Sequence, residues 1–122
     1  DLSLSMRNNI GPLLKQYCEE PQLYLQYGIS LSHLARTIGT NRLYLSQYFS
    51  SLGMSYNAYI NDLRIQHFVS LFHKAVAAKR SFTAQQLSLE SGFRSYSTFT
   101  LAFKQRMGQS VTAWMRANRP ND

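Results

Sequence analysis

Residues 30–55 read SLSHLARTIGTNRLYLSQYFSSLGMS, and residues 83–110 read TAQQLSLESGFRSYSTFTLAFKQRMGQS. The two stretches share one register. Ser30, Leu34 and Gly39 recur as Thr83, Leu87 and Gly92, each 53 positions later. Leu45 and Phe49 recur as Phe99 and Phe103 at an offset of 54, and Gly53 and Ser55 recur as Gly108 and Ser110 at 55. Each copy therefore predicts a hydroxyl-capped amphipathic helix, a glycine turn, a second helix, and a Gly-x-Ser stop that caps the next helix. Two helices joined by a tight glycine turn make a helix-turn-helix unit, whose second helix can enter a DNA major groove. The competing reading of the same repeat is a helical hairpin packed only for stability.

Outside the repeat the pattern stays helical. Ile10, Leu13, Leu14 and Tyr17 predict an apolar face on a helix over Leu4 to Cys18, closed by Pro21. Ser55 caps a long helix bearing Tyr59, Ile60, Leu63, Phe68, Leu71 and Phe72, which runs to about Ala77. Thr83 and Gln86 have the spacing of a capping box. Ser110 caps a last helix with Ala113 and Trp114, and Pro120 lies beyond its end. The fold class expected is all-α, about seven helices, with two three-helix helix-turn-helix subdomains joined by a long linker helix. The expected divisions are 1–28 for an N-terminal helix and lead-in, 29–54 for the first helix-turn-helix, 55–78 for the linker helix, 79–109 for the second helix-turn-helix, and 110–122 for a C-terminal helix and tail.

With 122 residues the chain is one domain-sized body, and 13 Lys and Arg against 6 Asp and Glu give a net charge of +7. That excess points to a polyanionic partner, or to a solvated basic surface kept for solubility. It is uneven: the residues through Gly53 sum to +1, and those from Met54 onward to +6. The C-terminal half should carry most of the non-specific attraction. Cys18 is the only cysteine, so neither an internal disulfide nor a cysteine zinc site can form, and it reads as a small hydrophobe. No apolar run reaches the ~20 residues a membrane helix needs. The start at Asp1 suggests a piece of a longer protein.

Several runs make the chain recognisable. The first half carries Leu34-Ala35, Ile38-Gly39, Asn41-Arg42, Tyr44-Leu45-Ser46, Phe49, Gly53-Met54-Ser55 and Tyr59-Ile60. Leu63-Arg64-Ile65 and Leu71 follow, and then Ser91-Gly92-Phe93-Arg94-Ser95, Ser97-Thr98-Phe99, Ala102-Phe103-Lys104 and Gly108. From about Leu31 to Arg116 the chain resembles the DNA-binding domain of the AraC/XylS family of bacterial transcription regulators. The resemblance implies two helix-turn-helix subdomains on one long helix, sequence-specific binding of double-stranded DNA, activation more than repression, and contact with RNA polymerase. It also implies a signal-sensing region N-terminal to this domain, through which a full-length protein could dimerise; a soluble and a membrane-anchored form of that region are both compatible with the sequence. Four positions depart from the family pattern: Phe68 where a small residue is usual, Ser88 for Ala, Leu101 for a frequent Arg, and Val111 for Pro.

Helical phase assigns the reading face. If Leu45, Tyr48, Phe49 and Leu52 face inward, Asn41, Arg42, Leu43, Tyr44, Ser46, Gln47 and Ser50 are the candidate DNA contacts of the first recognition helix. Arg42 and Gln47 can bond base edges bidentately, and Leu43 or Tyr44 can meet a thymine methyl. With Phe99, Phe103 and Met107 inward, the second helix offers Tyr96, Ser97, Thr98, Thr100, Leu101 and Lys104, with Arg94 just before it. Those hydroxyls suit phosphate positioning more than base reading. The first helix is therefore expected to specify sequence, and the second half to supply charge through Arg94, Lys104 and Arg106. A linker of about 20 residues is ~30 Å long, near the ~34 Å of one DNA turn, so one chain could read a bipartite, non-palindromic site.

Other classes fit less well. His33, His67 and His73 lack carboxylate or cysteine partners, His67 and His73 are six apart, and there is no phosphate-binding glycine loop, so neither an enzyme nor a metal site is expected. No cofactor is expected. The tyrosines and phenylalanines have core spacing, and no strand platform exists for stacking RNA bases. No helix pairs a basic face with a broad apolar one, so no membrane contact is expected of this fragment. A cytoplasmic, monomeric DNA-binding fragment is the expectation. The alternative is a helical protein-interaction module that docks on another regulator or on RNA polymerase.

Overall fold

A computed structural model describes residues 9–120. The expected helix start at Leu4, and the charges of Asp1, Arg7 and Asp122, lie outside these residues. All regular structure among the described residues is helical. Residues 9–14 are helical and continue into a π-helical turn, Lys15–Glu19; together these form α1. A 3₁₀ turn, Leu23–Leu25, comes next, then α2 (Leu31–Thr37), α3 (Arg42–Ser51), α4 (Tyr56–Ala77), α5 (Ala84–Glu90), α6 (Tyr96–Met107) and α7 (Val111–Asn118). The chain divides into two compact units between Ile60 and Asn61, within α4.

The starts of these helices follow from local chemistry. A helix leaves its first backbone N–H groups without partners, and a side-chain oxygen just ahead of it can accept from them. Ser30 Oγ accepts from the His33 N–H, Ser55 Oγ from Ala58, Thr83 Oγ1 from Gln86 and Ser110 Oγ from Ala113, at 3.0–3.1 Å. Two further caps are not evident from the sequence pattern. Asn41 Oδ1 accepts from the Tyr44 N–H at 2.9 Å, and Ser95 Oγ from Thr98 at 3.3 Å. The turns after α2 and α5 each place a glycine in the left-handed region, Gly39 at φ +82° and Gly92 at φ +94°. A Cβ would strain that backbone, which is why glycine recurs there.

In the first unit Ile10, Leu14, Cys18, Ile29, Leu34, Ile38, Leu45, Phe49 and Ile60 are buried. The π-helical turn overturns part of the expected α1 face. Cys18, fully buried, takes the inward place, and Tyr17 is 43% exposed. The Glu20 N–H bonds the Lys15 carbonyl at 2.9 Å, five residues back, and this wider turn shifts the helical phase of the residues within it. Leu52 is also misassigned by periodicity. It ends α3 outside the helical conformation and is 57% exposed. Polar groups also tie segments of the unit together: Tyr59 Oη donates to Glu19 Oε2 at 2.7 Å, and Tyr56 Oη donates to the Ile29 carbonyl at 2.6 Å.

The second unit is built on rings. Phe68, Phe72, Phe93, Phe99, Phe103 and Trp114 form one buried cluster with Ile65, Leu87, Ala102 and Val111. Phe68 lies 4.7 Å from Phe99 and 5.7 Å from Phe103, centroid to centroid, so the family departure at this position sits at the centre of the core. Ser88 is likewise settled: it is buried, and its hydroxyl donates to the Gln85 carbonyl at 2.8 Å. Ser91, also buried, donates to the Leu87 carbonyl at 2.8 Å. Intrahelical bonds of this kind satisfy a hydroxyl without a second partner.

Candidate nucleic-acid interface

The core anchors fix which side of each second helix faces out. On α3 the anchors are Leu45 and Phe49, and on α6 they are Phe99 and Phe103; none is more than 2% exposed. At about 100° per residue, the position midway between two such anchors points directly away from the core. That position is Gln47 on α3 and Leu101 on α6.

Of the seven candidates in the first unit, Asn41, Arg42, Leu43, Ser46, Gln47 and Ser50 are exposed and Tyr44 is half-buried. They form one outward surface, with Leu43 61% exposed. Asn41 is in part occupied, since its Oδ1 caps α3. In the second unit Arg94, Ser97, Thr98, Leu101 and Lys104 are exposed, while Tyr96 and Thr100 are half-buried. Tyr96 packs on the aromatic cluster, 5.7 Å from Phe99, so it acts partly as core.

Each surface borders an open hollow at the cap of the next helix. Ser46, Ser50 and Ser55 line it in the first unit, and Thr100, Lys104 and Ser110 in the second. These residues are related by the sequence repeat. From sequence Ser55 and Ser110 read only as caps, although the shared register is a signal that could place them beside the outward faces.

The charges are distributed differently from expectation in one respect. The Arg106 guanidinium is paired with the Asp62 carboxylate on α4, so its charge is partly neutralised. Lys79, Arg80 and Arg119 instead surround a hollow with apolar walls from Ala75, Val76 and Phe82. The Arg119 guanidinium lies 4.8 Å from the centroid of the Phe82 ring, a cation–π distance. Nothing in the sequence pattern assigns this cluster a role. Burial, and then Lys74, hold the pKa of His67 below the usual histidine value. Among the described residues no three His, Cys, Asp or Glu side chains gather as a metal site would require, and no helix is long and apolar enough to cross a membrane.

Comparison with known proteins agrees with this geometry. A family described as Helix-turn-helix domain matches residues 34–117. The TCP pilus virulence regulatory protein of Vibrio cholerae, in each of two serotype O1 strains, is 30% identical over 76 residues. That match spans 62% of this chain and 26% of the relative, so the chain corresponds to about a quarter of the relative's length. A solved structure of a Listeria innocua protein of unknown function superposes with a TM-score of 0.65 at 19% identity. It covers 90% of this chain and 94% of that one, a likeness of fold alone.

Proposed function

This chain belongs to the AraC/XylS-type helix-turn-helix family of DNA-binding transcription regulators, and from that premise we propose that it activates transcription by reading a bipartite, non-palindromic site on double-stranded DNA. Each unit lays its second helix in a major groove. The first unit specifies sequence through Arg42 and Gln47, with Leu43 and Tyr44 against thymine methyls and Ser46, Ser50 and Asn41 at the edges. The second unit holds the duplex through Arg94 and Lys104, with Ser97 and Thr98 at phosphates.

One observation carries the reading: two units of one chain, with core anchors in the same register, turn two chemically different faces to solvent. A single copy can then read two blocks that differ in sequence, where a lone helix-turn-helix would need a dimer. The working divisions are helix-turn-helix units at 29–54 and 79–109, with 55–78 as the linker helix. Activation, RNA polymerase as partner and action in the cytoplasm belong to the same reading. The Vibrio relative is itself a regulatory protein by name, which supports it.

The test is selection from a random-sequence duplex library with this chain, and then affinity measured against salt. Two enriched blocks about one helical turn apart are expected. One block would mean that a single unit reads bases. No enrichment, with weak and nearly salt-independent binding, would replace this reading with the protein-interaction module.

A further inference from the structure

We infer that Leu101 reads a thymine, through the C5-methyl group, in the block of DNA met by the second unit. The inference rests on the DNA reading proposed above and goes beyond it by naming the base and the group recognised. Leu101 is 61% exposed, although its side chain is large and apolar. Single exposed leucines are ordinary, so exposure alone decides nothing. Position does. Leu101 stands two residues from Phe99 and two from Phe103, both fully buried, at the centre of the outward face of α6. The same place on α3 holds Gln47, between Leu45 and Phe49.

Two of the hydroxyls around Leu101 already bond within the protein. Thr100 Oγ1 donates to the Ser97 carbonyl at 3.0 Å, and Ser97 Oγ is bonded to Ser95 Oγ at 3.0 Å. Lys104 shares the hollow beside Leu101 and brings a flexible charge suited to a phosphate. Leu101, midway between the buried Phe99 and Phe103, is the side chain at the centre of the face. Leucine has neither donor nor acceptor. Among the edges that base pairs present in the major groove, only thymine offers a methyl group. Pressed against adenine, guanine or cytosine, leucine would strip water from a donor or acceptor and return no hydrogen bond, an unfavourable exchange. Discrimination thus comes from both contact and rejection.

The experiment uses this chain and the duplex enriched from the random library, with each thymine replaced in turn by deoxyuridine, which removes only the methyl. Affinity should fall about fourfold at one position in the block met by the second unit, the worth of one buried methyl-sized group. The same replacement should change nothing for Leu101→Ala, whose side chain is too short to reach. Leu101→Gln should move the preferred base at that position from thymine to adenine, copying the chemistry of Gln47. Since Leu101 is exposed, both variants should melt with the parent chain. In the block met by the second unit, a deoxyuridine penalty undiminished in Leu101→Ala, or no penalty at any thymine, would overturn the assignment of Leu101 and leave the DNA reading standing. Absence of any enriched sequence would overturn both.

Discussion

The two units share a plan and differ in almost everything built on it. The second packs rings: Phe72 lies 4.9 Å from Trp114, and Phe93 lies 5.2 Å from Phe99. The first buries mainly aliphatic side chains, with Phe49 as its anchoring ring, and adds the polar ties from Tyr59 and Tyr56. Outside, the contrast reverses. The first unit shows groups able to discriminate bases, Arg42 and Gln47, on a half with net charge +1. The second shows hydroxyls, Leu101 and Lys104 on a half with +6. A helix separates its inner from its outer face by phase, so a duplicated scaffold can change core chemistry and surface chemistry independently.

The largest expected effect tests the ring core. Phe68→Ala would empty the centre of the second unit's cluster, and should cost about 3–5 kcal/mol in denaturant unfolding. A loss below about 1 kcal/mol would mean that neighbouring rings close the gap, and that the cluster does not hold this unit together. Next come the outer faces. Arg42→Ala should reduce affinity for the enriched duplex by about tenfold to a hundredfold, and random duplex much less. Lys104→Ala should weaken both duplexes alike and reduce the salt slope by about 0.9. Equal losses on specific and random DNA from Arg42→Ala would break the division of labour between the units.

Much of this architecture is legible in the sequence because the repeat places caps, turns and anchors at nearly constant offsets. Ser30, Thr83 and Ser110 cap as their spacing predicts, and the anchors of α3 and α6 face inward as expected. Periodicity fails where the helix stops being a regular α-helix. It cannot show the π-helical turn that exchanges Tyr17 for Cys18, or the end of α3 that turns Leu52 outward. Contacts between distant segments are also invisible to it. No local pattern links Asp62 to Arg106 or Glu19 to Tyr59, and the first of these partly neutralises Arg106. The exposure of the outward faces comes directly from helical phase, whereas the bonds of the Ser97 and Thr100 hydroxyls beside Leu101 are visible only in three dimensions.

The polar tie of the first unit gives a pH signature. Burial first, and then the bond to Glu19, raise the pKa of Tyr59 far above the ordinary tyrosine value of 10.0. The unfolded chain ionises this phenol near pH 10, and the folded chain holds it protonated. The stabilisation it supplies is therefore complete below about pH 10 and is lost as pH rises from there toward the folded-state value. Tyr59→Phe should cost about 1.5 kcal/mol at neutral pH, and its stability should decline less steeply than the parent's above pH 10. Parallel alkaline slopes for the two proteins would show that folding does not hold the Tyr59 phenol protonated.

The smallest effect offers the closest match between units, because Ser30 and Thr83 perform the same task at equivalent positions. Each accepts one backbone N–H at 3.0 Å, at the start of a seven-residue helix. Alanine at either position should cost about 1 kcal/mol, and glycine only a few tenths, since glycine lets water reach the unpaired N–H. The two helices differ in what lies behind them: Leu34 and Ala35 in the first unit, and Leu87 with the hydroxyl of Ser88 in the second. If capping is a local device, the two alanine variants lose equal stability despite those different cores. A cost near zero at Thr83 with the full cost at Ser30 would mean that ring packing already fixes α5, so that the second unit relies less on its caps than the first.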